Sequence, residues 1–156
     1  MKKAIRIIVT IGFIVFLLMQ LYQPARNLDD GQVLPEHFTK VYHVPQNVQA
    51  ILRTSCYDCH SNNTNYPWYS YIQPGRIFME NHIKKGKKDL NFSEFGKYSK
   101  RKQGSKLEAI IKQMESGKMP IASYTLLHKK ALITPTQKKE VINWINITKY
   151  SLSLEN

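Results

Sequence analysis

The apolar positions of the chain form one continuous run and then several periodic stretches. From Ile7 to Tyr22 the residues read IIVTIGFIVFLLMQLY, without a charge and with only Thr10, Gly12 and Gln20 interrupting the apolar character. Lys2, Lys3 and Arg6 stand before this run. A basic segment followed by an apolar one describes either an uncleaved anchor or a cleaved signal peptide, and Gln20-Leu21-Tyr22-Gln23-Pro24 lacks the small-x-small pattern of a cleavage site. A single membrane-spanning helix within residues 1–22 is therefore expected, with a cleaved signal as the alternative. The run is shorter than the ~20 residues a span usually needs, a deficit that snorkelling of Arg6 and an interfacial Tyr22 make up. The positive-inside bias puts the first residues in the cytoplasm and everything after Tyr22 outside it.

Residues 23–44 carry no sustained period and are punctuated by Pro24, Asp29-Asp30-Gly31 and Pro35, with Pro45 just beyond, so they read as a tether. Beyond it the spacing predicts helices. Val48, Ile51 and Leu52 place one over Pro45–Tyr57, and others are expected over about Gly75–Lys85, Ser93–Arg101 with Ser93 as N-cap, and Lys106–Ser116, where Leu107, Ile110, Ile111 and Met114 share a face. The last helix has the clearest start, with Thr134 as N-cap, Pro135 at the first position and Gln137 three residues after the cap. No segment combines alternation with turn signals, so the class is all-α, with one folded domain over 45–156.

Composition narrows this picture. Two cysteines in 156 residues cannot staple a small disulfide scaffold, and 42% hydrophobic residues exclude a disordered chain. The formal charge of +12 belongs only in part to the N-terminal segment. Residues 27–156 carry 19 basic and 11 acidic side chains, so the body is basic in its own right. The basic residues concentrate between Lys84 and Lys106, which suits a solvated face, an acidic protein partner or anionic lipid. Nucleic acid is not expected outside the cytoplasm.

The candidate chemistry lies in Cys56-Tyr57-Asp58-Cys59-His60. C-x-x-C-H is the attachment sequence of c-type haem. Two thiols one helical turn apart match the two vinyl groups on one haem edge, and the adjacent histidine is carried under the iron as proximal ligand. Cys56 and Cys59 are thus candidates for covalent attachment and His60 for the metal. A thioredoxin-like pair would want a βαβ setting, a zinc site would need two more paired ligands, and a disulfide across two residues is geometrically awkward.

A second axial ligand is sought among Met79, His82, Met114, Met119 and His128. Met119 follows a helix that ends at Gly117, and Pro120 stiffens the loop that holds it, so Met119 is the expected sixth ligand and His82 the alternative. Met114 belongs with the core face of the preceding helix, and His128 reads as exposed. Among the aromatic residues after the motif, Trp68 is expected to wall the haem. Arg76 reads as surface charge, with pairing to a propionate as the alternative.

The order of helix, Cys56-x-x-Cys59-His60, intervening helices, Met119-Pro120 and a C-terminal helix resembles a class I c-type cytochrome. More closely, Ser55–Asn62, Tyr66-Pro67-Trp68-Tyr69, Leu90-Asn91-Phe92-Ser93, and Met119-Pro120 with Tyr124 and His128 resemble the small membrane-anchored haem-binding domain proteins of bacteria, over about residues 38–147. The resemblance implies one covalently held haem c with Cys56, Cys59 and His60 in these roles. It departs from class I cytochromes after the motif, where Asn62-Asn63-Thr64-Asn65 replaces a glycine-rich stretch, leaving Pro67 or Pro74 as candidate acceptor for the His60 ring N–H. The function expected is electron transfer to a redox partner protein, from an anchor in the bacterial inner membrane with the domain periplasmic. The alternative is a haem enzyme or sensor with an open sixth position.

Overall fold

Helix α1 (Lys2–Gln20) opens the chain and buries none of its residues against the rest of the protein. The computed structural model describes residues 1–154, whose regular elements are helices with no strand among them. At 19 residues α1 is long and apolar enough to cross a membrane.

The core begins earlier than the sequence pattern suggests. A short helix, α2 (Phe38–Val41), is capped by His37, whose ring accepts from the Thr39 N–H. Phe38 is fully buried, edge-on to Phe92 at 5.0 Å, Phe95 at 4.8 Å and Trp144 at 5.6 Å. Part of the expected tether is therefore the aromatic centre of the domain. Phe38, Val41 and Tyr42 fill only a single helical turn between Pro35 and Pro45, too short for a sustained period, which is why the boundary falls too late when placed at Val44.

Helices α3 (Gln46–Ser55), α6 (Lys100–Glu115) and α8 (Pro135–Leu154) pack around this centre. α3 contributes Val48, Ile51 and Leu52, α6 contributes Leu107, Ile110, Ile111 and Met114, and α8 contributes Val141, Ile145 and Leu152. α8 starts as its sequence predicts, since the Gln137 N–H donates to Thr134 Oγ1 at 3.2 Å and the Thr134 N–H to Gln137 Oε1 at 2.9 Å. Each satisfies a backbone donor that a helix start leaves orphaned.

Between them lie α4 (Tyr57–His60) and α5 (Gly75–Asp89), with α7 (Ala122–Leu127) before the last helix. The helices expected over 93–101 and 106–116 are divided differently. Phe92–Lys97 is a 3-10 segment with a non-helical Glu94, which turns both Phe92 and Phe95 into the core, and α6 starts afresh at the Ser99 cap. The polar run Lys100–Lys106 hides that start from an apolar pattern, although its lysines and arginine are good helix formers.

Phe38→Ala should lower unfolding stability by about 3–5 kcal/mol in a denaturant titration, as for other buried phenylalanines. A loss below about 1 kcal/mol would return residues 23–44 to the status of a tether.

Candidate functional site

α3 stops at Ser55 because Cys56 adopts φ −128°, and the chain restarts as the single turn α4. The Cys56 carbonyl accepts from the N–H groups of Cys59 at 3.2 Å and His60 at 3.0 Å. Asp58, buried in that turn, organises the loop after the motif. Its Oδ1 accepts from the Asn65 N–H at 3.1 Å, its Oδ2 from the Tyr124 hydroxyl at 2.6 Å, and its carbonyl from Thr64 Oγ1 at 2.6 Å. The asparagine-rich loop thus folds back on the motif through side-chain bonds. Asn62 extends it, taking Ser93 Oγ as acceptor for its N–H at 3.0 Å and a bond from Asn91 Nδ2 at 2.8 Å.

His60 is held from the α5 side. Its Nδ1 lies 2.9 Å from the Gly86 carbonyl and 3.0 Å from the Leu90 carbonyl. Both partners only accept, so the proton sits on Nδ1 and the Nε2 lone pair is left for a metal. The acceptor is therefore neither Pro67 nor Pro74. Gly86 makes this approach feasible, because a Cβ there would stand 2.7 Å from the Cys59 carbonyl oxygen. A side chain at 86 would push α5 off α4.

Cys56, His60 and Met119 border one cavity of about 440 Å³, whose walls include Leu90, Phe92, Ile110, Met114, Pro120 and Ile133. That volume falls within the usual range for ligand pockets, and the apolar walls suit a large flat hydrophobic group. Met119 reaches it through the end of α6. Gly117 has φ +67°, its N–H donates to the Met114 carbonyl at 3.3 Å and the Lys118 N–H to the Gln113 carbonyl at 3.1 Å. This paired cap reverses the chain so that residues 119 and 120 return over the cavity. Lys85, Asp89 and Lys106 stand among the lining residues, with Lys106 Nζ bonded to the Asp89 carbonyl.

The donor set fits haem: a thiol, an imidazole with a free nitrogen and a thioether face one apolar space. Cys59, the second thiol, is half-buried one turn from Cys56 and does not border the cavity. Neither cysteine is in a disulfide. Burial first, then the neighbouring thiol, pushes Cys56 up to about 12, and burial with the Asp58 charge pushes Cys59 up to about 11.

Other candidates lie elsewhere. Trp68 is 76% exposed and does not border the cavity, so the structure does not place it as a wall of the haem. Its position in a 3-10 turn, Trp68–Tyr71, sends it outward. Arg76 bonds Gln23 and the Pro24 carbonyl rather than facing the cavity. His82 turns its Nδ1 to its own helix, 2.8 Å from the Phe78 carbonyl. His128 is half-buried rather than exposed, stacked on Tyr124 at 4.2 Å with its Nε2 2.7 Å from the Tyr69 hydroxyl. Met114 is a core residue, as expected, that also borders the cavity. The Asp58–Tyr124 bond and the two carbonyls on His60 have no local sequence signal, since their partners lie 26 to 66 residues away.

Comparison with curated proteins and with solved structures gave no match. The model of the haem-binding domain family matches residues 14–147, a span that contains the Cys56–His60 motif, Met119 and every wall of the cavity. The chain belongs to the haem-binding domain family.

Proposed function

We propose that the protein is a membrane-anchored electron carrier holding one haem c, joined through Cys56 and Cys59, with His60 and Met119 on the iron. The observation that carries this reading is the His60 ring, whose Nδ1 is committed to two backbone carbonyls while the residue borders the cavity shared by Cys56 and Met119. When bound, the haem supplies an iron centre that accepts and returns one electron.

The chain's own residues do the rest. The thiols of Cys56 and Cys59 would fix the porphyrin edge, and the bonds on Nδ1 direct the His60 Nε2 lone pair. Leu90, Phe92, Ile110 and Met114 exclude water, and the Met119 thioether closes the other side. Lys85 and Lys106 suit the two carboxylates of the haem. With His60 and Met119 both holding the iron, no site would be left for a substrate, which favours transfer over catalysis. A methionine on the iron raises the potential, so the carrier suits the oxidising end of a chain.

The anchor and the chemistry agree on topology. With Lys2, Lys3 and Arg6 on the cytoplasmic side of the inner membrane, the domain lies outside it, where c-type haem is attached. Lys84, Lys85, Lys87 and Lys88 lie in the last turns of α5, where Lys85 borders the cavity, which supports docking of an acidic redox protein.

Protein matured with haem-attachment machinery should show a ferric band near ~695 nm, as methionine ligation does. Met119→Ala should remove the band and Met114→Ala should keep it. A band that survives Met119→Ala contradicts the ligand assignment, and rapid carbon monoxide binding by unmutated ferrous protein contradicts a filled sixth position.

Gly86→Ala should destabilise the folded protein by about 1–3 kcal/mol, the usual cost of overpacking, and shift the iron potential by disturbing the carbonyl on His60. Unchanged unfolding and potential would mean that α5 yields without touching the ligand.

The thiols give a pH dependence in the haem-free chain. Both have raised values in the folded state against an ordinary 9.0, so the fold retains their protons longer than the unfolded chain does. Their contribution is full below 9.0 and is lost as pH climbs through about 11 for Cys59 and about 12 for Cys56. The denaturation midpoint should fall over that window, and fall less in the Cys56→Ser variant. Equal slopes in the two proteins would mean that the thiol is solvated.

A further inference from the structure

The membrane end of α1 is not loosely attached to the domain. Gln73, only 1% exposed, donates its N–H to Gln20 Oε1 at 2.9 Å and its side-chain amide to the Tyr22 carbonyl at 2.6 Å, while Gln20 Nε2 approaches the Gln73 carbonyl at 3.4 Å. Arg26 lies over the Tyr71 ring, 4.2 Å from its centroid. The last residue of α1 is therefore in register with the residue that comes after the turn Trp68–Ile72.

That turn exposes apolar surface. Trp68 is 76% exposed, Tyr71 53% and Ile72 45%, and the residues that leave α1, Leu21 and Tyr22, are 79% and 62% exposed. Trp68 and Tyr71 stand three apart in a 3-10 helix, which stacks their side chains on one face. A tryptophan so placed in water is costly, and Tyr69, edge-on to its ring, leaves most of it uncovered by the described residues.

The length of α1 sets the depth of this surface. Beyond the cytoplasmic Lys2, Lys3 and Arg6, residues 7–20 rise by roughly 21 Å against the ~30 Å of a hydrocarbon core, so a spanning α1 leaves no slack beyond Gln20. Gln20 then lies at the boundary between hydrocarbon and headgroups, and Gln73, hydrogen-bonded to it, lies at the same depth. We propose that the Trp68–Ile72 turn is a second membrane contact, with Trp68, Tyr71 and Ile72 seated in the outer headgroup layer of the bilayer that α1 crosses. The occupant of this surface is lipid. Tryptophan and tyrosine are the side chains that favour this layer, and Arg26 beside Tyr71 brings a positive charge to the phosphates. The contact rests on α1 being a span, and it fixes the haem cavity at a set orientation to the membrane instead of on a free tether.

The test is hydroxyl-radical footprinting of the full-length, haem-loaded protein in nanodiscs of phosphatidylcholine and phosphatidylglycerol holding one chain each, with every rate normalised to the unfolded chain. Tyr150, 68% exposed and far along α8, serves as the solvent reference. Phe13 and Phe16 report insertion of α1. Trp68 and Tyr71 should be oxidised several-fold more slowly than Tyr150 while Phe13 and Phe16 are protected. In the double variant Trp68→Glu, Ile72→Glu, Tyr71 should rise to the Tyr150 rate with Phe13, Phe16 and the haem spectrum unchanged. Oxidation of Trp68 and Tyr71 at the Tyr150 rate, with Phe13 and Phe16 protected, overturns the contact and points to a protein partner for that surface. Oxidation of Phe13 and Phe16 as well overturns the span itself.

Discussion

The geometry of the site depends on one shared proton. The Nδ1–H of His60 is held between the carbonyls of Gly86 and Leu90, at the end of α5. That contact commits the imidazole to one tautomer, sets where its free nitrogen sits and ties α4 to α5. It requires a residue without a Cβ at 86, because the α5 backbone comes so close to Cys59. It also requires α5 to run past Lys85, the end its sequence suggests, so that its last turn reaches the motif.

A second tie works from the other side of the same turn. Asp58 stands between the two cysteines and receives the Tyr124 hydroxyl from α7, while burial and that bond push the Tyr124 phenol above its usual range. α7 comes directly after the loop that carries Met119, whose path is set by the cap at Gly117. The two sides of the cavity are thus built on one four-residue helix. A buried carboxylate is a costly element to retain, and its three hydrogen-bond donors offset that cost.

Legibility in the sequence tracks the distance over which each interaction acts. The Thr134–Gln137 cap, the apolar face of α6 and the helical class are local and legible, as is the concentration of thiol and imidazole chemistry in five consecutive residues. Phe38 is hidden because the apolar set it shares with Val41 and Tyr42 lasts one turn between prolines, too short to show a period. The acceptor for His60 is hidden because it is a backbone carbonyl, which carries no residue preference, on a helix far along the chain. Trp68 is the instructive residue: its type and its nearness to the motif suggest a cofactor wall, but the short 3-10 turn directs it to the surface at the end of α1.

The central claim is a single haem bonded to Cys56 and Cys59. Intact mass of the matured protein after acid–acetone extraction tests it most directly. The account predicts that the polypeptide retains the mass of one haem and the extract is colourless, with retention lost when both cysteines are replaced by alanine. A chain of unmodified mass, with all haem in the extract, would contradict it.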